Sequence, residues 1–124
     1  MINQILLYAG AVFVTFWGIS HLVPTKNIVA GFGDISEDNK NIITMEWIIE
    51  GVAMIFIGVL VATVTIIDHV SPVAAAVYWV TFGGLTALSA VALLTGFKVN
   101  FLPFKLCPVI LTTSSILILL GILL

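Results

Sequence analysis

The chain has 124 residues, of which 61% are apolar and 8% charged, with a formal net charge of −2. A soluble domain runs nearer half apolar and a quarter charged, and so short a chain cannot hide that apolar excess from water. A water-soluble fold is excluded, and four lysines without an arginine make no basic stripe for nucleic acid.

The composition predicts one all-α domain over residues 1–124, an integral membrane four-helix bundle with the lipid bilayer as its solvent. The lone Cys107 excludes an internal disulfide and a Cys-x-x-Cys redox pair. Met1-Ile2-Asn3-Gln4 lacks the basic region that opens a secretory signal.

A hydrocarbon core of roughly 30 Å needs about 20 helical residues. The first span is expected over 2–23, uncharged and ended by Pro24, because the residue before proline avoids the helical region. A polar loop follows, with Gly31-Phe32-Gly33-Asp34 as turn chemistry and Ser36 to Asn39 available as helix caps. The second span is expected over 42–67. Its stretch Trp47 to Ile67 holds 12 Ile, Leu, Val or Phe residues, which contribute roughly −4 to −7 kcal/mol to insertion. Its one carboxylate, Glu50, costs about 2.5–3.5 kcal/mol at mid-span and less near an end. Insertion wins.

Ser71-Pro72 opens the third span, 72–96, as a capping serine with proline at the first helical position and Gly96 as its C-cap. The fourth span is expected over 108–124. Continuous apolar runs without period-2 alternation argue against strands, whose open edges would strand backbone groups in lipid. Between the last two spans, Phe97, Phe101 and Phe104 interleave with Lys98 and Lys105. Such a segment suits the headgroup level, with rings down and ammonium groups up, or it is a linker that tucks back onto the bundle.

Lys26 and Lys40 lie in the first loop, Lys98 and Lys105 in the third, and the second loop has none. The positive-inside rule puts loops one and three in the cytoplasm and both termini outside the cell membrane. Small residues recur at helical spacing, Gly51, Gly58 and Ala62 in the second span and Ala76, Gly83, Ala87 and Ala90 in the third. Such faces let backbones approach closely. Packing inside the bundle is the expected use; a homo-oligomer seam, or a contact within a larger membrane complex, is the alternative.

Polar groups gather on the lysine side. Glu46 and Glu50, four residues apart, share a face about 6 Å apart along the axis. A carboxylate in a span must face the bundle or a wet cavity and marks a functional site by default. The expected partner is His21 at the same depth, with Trp17 one turn away as an apolar wall and Thr112 and Ser115 as hydroxyls on the fourth span. A Glu50–His21 pair can relay a proton, because imidazole changes charge near neutral pH. It can also hold the head of a lipid-like or quinone-like amphiphile, or simply lock two helices together.

No His-x-x-His or Glu-x-x-His pairing supports a metal site, and no base-and-orienter set supports a nucleophile. Phosphate-loop and dinucleotide fingerprints are absent, so the cofactor is unknown and the sequence leans away from an enzyme. His69, beside Asp68, reads as solvated, and Cys107 as a small apolar residue at the interface.

Gly18-Ile19-Ser20-His21-Leu22-Val23-Pro24 and Glu50-Gly51 with Ile57-Gly58-Val59-Leu60 resemble the end of helix one and the start of helix two in the DoxX-like family of small four-helix membrane proteins. The family usually has lysine where this chain has His21. The resemblance implies a four-span bundle. It also implies roles as varied as quinone-coupled sulfur oxidation, membrane redox complexes and receptor assembly, so it names no single activity.

Overall fold

Long apolar runs with satisfied internal backbone bonds produce helices throughout. The computed structural model describes residues 1–124 and is 87% helical with no strands. The order is α1 (Ile2–Leu22), α2 (Thr25–Ala30), α3 (Glu37–Asp68), α4 (Pro72–Thr95), a 3-10 turn (Gly96–Lys98) and α5 (Leu102–Leu123). Helices α1, α3, α4 and α5 are each long and apolar enough to cross a membrane. The chain is an all-α four-helix bundle that fits a multi-pass membrane protein.

Two helix starts differ from the sequence expectation. Helix α3 begins at Glu37 rather than 42, because the Ser36 hydroxyl accepts the Asn39 backbone N–H at 3.2 Å and caps it. At 32 residues it is about 48 Å long, so its charged first turns extend beyond a hydrocarbon core of roughly 30 Å. Helix α5 begins at Leu102 rather than 108. Extended Phe101 opens it, Pro103 sits in its first turn where no N–H is needed, and Pro108 is carried inside the helix. Helix α4 ends at Thr95 with Gly96 as its C-cap, as expected; Gly96 is right-handed (φ −74°) and a 3-10 turn follows directly. Part of the first loop is helical as α2, and Gly33 (φ 75°) supplies the left-handed turn beyond it. The Ser71 cap of α4 forms as expected, accepting from the Ala74 N–H at 3.1 Å.

Around the bundle the helices run α3, α1, α5, α4. Glycines set the α1 seams. A Cβ at Gly18 would meet the Gly51 carbonyl, one at Gly51 would meet Leu22, and one at Gly58 would run into Thr15 Oγ1 and the Ala11 carbonyl. Close backbone approach supplies the van der Waals contact that replaces hydrophobic drive between helices in lipid. On the other side of α1, Gly10 and Gly121 admit Ile118 and Leu7, and Ser114 Oγ donates to the Gly10 carbonyl.

Helices α4 and α5 are joined through hydroxyls. Ser89 meets Thr112 and donates to the Pro108 carbonyl at 3.1 Å, and Thr86 meets Ser115 at 2.8 Å. These bonds turn Leu85 and Ser89 inward and leave the small-residue face of α4 uncovered. Ala76, Gly83, Ala87 and Ala90 are all exposed, with nothing within 4 Å of a Cβ placed at Gly83. That expectation of packing inside the bundle is corrected for α4. It holds for Gly51 and Gly58 of α3.

The fourth side of the bundle is different. Helices α3 and α4 meet near the turn that joins them, where the Thr65 and Tyr78 hydroxyls lie 2.9 Å apart. Elsewhere they pack far less closely than the other three neighbouring pairs. The gap between them widens toward the lysine-bearing end.

Candidate functional site

That gap is a cavity of about 660 Å³, within the range of small-molecule sites. Helix α1 contributes Trp17, Ser20 and His21, and α3 contributes Trp47, Glu50, Ala53, Met54 and Ile57. Leu88, Ala92 and Thr95 of α4 face them, and Phe101, Phe104 and Cys107 close the end. Exposed Glu50 and Ala53 on α3 and Leu88 and Val91 on α4 flank the gap, so the cavity opens sideways between the two helices.

The glycine seam brings the polar pair together. Gly18 stands one turn before His21 and Gly51 directly follows Glu50, and the close backbone approach at those glycines carries the two side chains into range. His21 Nε2 lies 3.3 Å from Glu50 Oε2. The approach lacks the alignment of a hydrogen bond, and Nε2 has no other partner although His21 is only 9% exposed. The Glu50 side chain is 55% exposed and borders the cavity. The buried Trp17 indole N–H makes no hydrogen bond of good geometry and has the Cys107 thiol as its neighbour. Buried polar groups without a well-formed hydrogen bond are uncommon in folded proteins, and here two of them line one cavity.

Trp47 fixes the imidazole. Its ring stacks on His21 with centroids 3.8 Å apart, and its Nε1 donates to the His21 carbonyl at 2.6 Å. Phe104 lies 5.7 Å from Trp47 and Phe101 lies 6.0 Å from Phe104, both tilted. An arc of rings from three helices thus lines the polar end.

Of the residues singled out from the sequence, His21, Glu50, Trp17, Phe101 and Phe104 meet at this cavity. Glu46 does not; it is exposed and off the lining, because the cavity-facing stripe of α3 runs through 47, 50, 54 and 57. Thr112 and Ser115 face α4 and serve the hydroxyl contacts instead. Lys98 lies in the 3-10 turn and Lys105 sits 5.7 Å over the Phe97 ring, both outside the lining. Nowhere do three or more His, Cys, Asp or Glu side chains come together in a way that holds a metal ion. His69 is hydrogen-bonded to Gln4 Nε2 at 3.0 Å rather than merely solvated.

Trp47 is the site residue the sequence reading passed over. Its position three residues before Glu50, on the same helical face, was the available signal. No family model matches the chain, and neither a curated protein nor a solved structure matches it.

Proposed function

We propose that this protein binds a small amphiphile, lipid-like or quinone-like, with its polar head against Glu50 and His21. The tail lies along Ala53, Ile57, Leu88 and Ala92. One observation carries the reading: a lone carboxylate and an imidazole 3.3 Å from it, with no hydrogen bond between them, stand at the polar end of an otherwise apolar, sideways-open cavity. The opening between α3 and α4 gives an acyl or prenyl chain a route in from the bilayer that never crosses water. The resemblance to DoxX-like proteins is compatible with this role and adds no choice of ligand. The lysine distribution supports loops one and three in the cytoplasm, with the head site toward that face.

The test is recovery of ligand from protein purified in nanodiscs, by organic extraction and mass spectrometry. An amphiphile near one per chain is expected, and it is lost when Ala92→Phe fills the cavity. Glu50→Gln is expected to reduce retention while the protein still melts normally. If nothing is retained and Glu50→Gln instead abolishes folding, the Glu50–His21 pair is a structural tie and the reading fails.

A second reading rests on a separate observation. The uncovered small-residue face of α4 is suited to close helix contact in lipid. It supports an accessory or assembly role in a larger membrane complex, which co-purification with and without Gly83→Leu would test.

A further inference from the structure

From the lining of the same cavity we infer that its ligand is a cationic amphiphile, an organic ammonium on a single apolar tail. This rests on the amphiphile reading above and narrows it. Glu50 is the only carboxylate lining the cavity, and no lysine lines it. Of the aromatic loop's cations, Lys105 lies over the Phe97 ring and Lys98 in the 3-10 turn, and neither lines the cavity.

The cavity that Glu50 lines is walled in part by aromatic rings. Trp17, Trp47, Phe101 and Phe104 all line the cavity, and the last three are linked ring to ring at 5.7 and 6.0 Å. Ring faces attract cations through their quadrupole, tryptophan most strongly, and more so when water is excluded. A carboxylate set among such rings recognises positive charge twice, by ion pairing and through the π-faces. An anionic head would be repelled by Glu50, and a neutral head would gain at most a hydrogen bond to it, without the ion pair.

The experiment compares tetradecyltrimethylammonium with tetradecanol, which has the same chain length and no charge. Binding is followed by the emission of Trp17 and Trp47 in a Trp79→Phe background, since Trp79 lies outside the cavity. The protein is held in zwitterionic nanodiscs, with partition into empty nanodiscs subtracted. The ammonium is expected to bind at least about tenfold more tightly than the alcohol. Glu50→Gln should erase that preference by lowering ammonium binding about tenfold or more, to the level of the alcohol. Phe104→Leu, which keeps an apolar side chain and removes the ring, should weaken ammonium binding by about threefold or more and so narrow its preference over the alcohol. It reads the aromatic contribution separately should Glu50→Gln not fold.

Equal binding of the two probes overturns the inference, and so does a preference that survives Glu50→Gln. If both probes bind equally and Ala92→Phe blocks both, the amphiphile reading stands and the charge selectivity falls. If neither saturates, both readings fall.

Discussion

The imidazole of His21 lies 3.8 Å from the indole of Trp47 in a nearly parallel stack, and the same indole donates to the His21 backbone carbonyl. Two contacts from one side chain fix both the ring and the backbone of the histidine. Glu50 then needs to supply no hydrogen bond to hold it there. Trp47→Phe retains the stack and removes the N–H. It should cost about 1 kcal/mol, seen as a lower melting temperature in detergent, whereas Trp47→Ala should cost about 3–5 kcal/mol.

Matched glycine substitutions separate the packed seam from the uncovered face. Gly58→Ala drives a methyl into Thr15 and the Ala11 carbonyl and should destabilise by about 1–3 kcal/mol. Gly83→Ala meets open space and should fall within about 0.5 kcal/mol of the parent. Thermal or denaturant unfolding of both variants in one detergent checks the contrast. A neutral Gly58→Ala would mean that α1 and α3 do not approach as described.

The hydroxyl contacts between α4 and α5 are open to a double-mutant cycle. Ser89→Ala, Thr112→Val and the double variant should give a coupling of about 0.6 kcal/mol, modest because the unfolded chain in a membrane also finds partners. A coupling near zero would remove the pair from the account of why Gly83 faces outward.

Cys107 is the only cysteine, half-buried on the cavity lining, and so reports on occupancy. A small neutral maleimide should label it, slowly. Saturating the cavity with a tetradecyl amphiphile should slow labelling several-fold, and Ala92→Phe should slow it without any ligand. Labelling indifferent to both would place the thiol on another path to solvent.

The four spans were legible because insertion into lipid depends on summed hydropathy, which is a property of composition. The meeting of His21 and Glu50 was legible from depth alone, since both stand near the same end of adjacent helices. Rotation about each helix axis was not. Glu46 shares the helical face of Glu50 in projection, yet the cavity follows the stripe through Trp47 and Met54. Which stripe faces inward is set by glycine contacts with another helix. The same limit hid the outward face of α4, where Ala76 and Gly83 look like packing residues until the Ser89 and Thr86 hydroxyls fix the helix against α5. Pro108 misplaced the start of α5 because proline is tolerated within a membrane helix at the loss of one intrahelical bond, the one to the Phe104 carbonyl four residues earlier.

The sparse contact between α3 and α4 has a thermodynamic consequence. A bundle tied at one end of its fourth side behaves like tongs whose arms are held apart by what lies between them. Any occupant becomes part of the folded state and raises its stability by RT ln(1 + [L]/Kd), about 2.7 kcal/mol at a hundredfold excess over Kd. The melting temperature would then belong to the protein and its surrounding amphiphiles jointly, and would change with the detergent chosen to measure it.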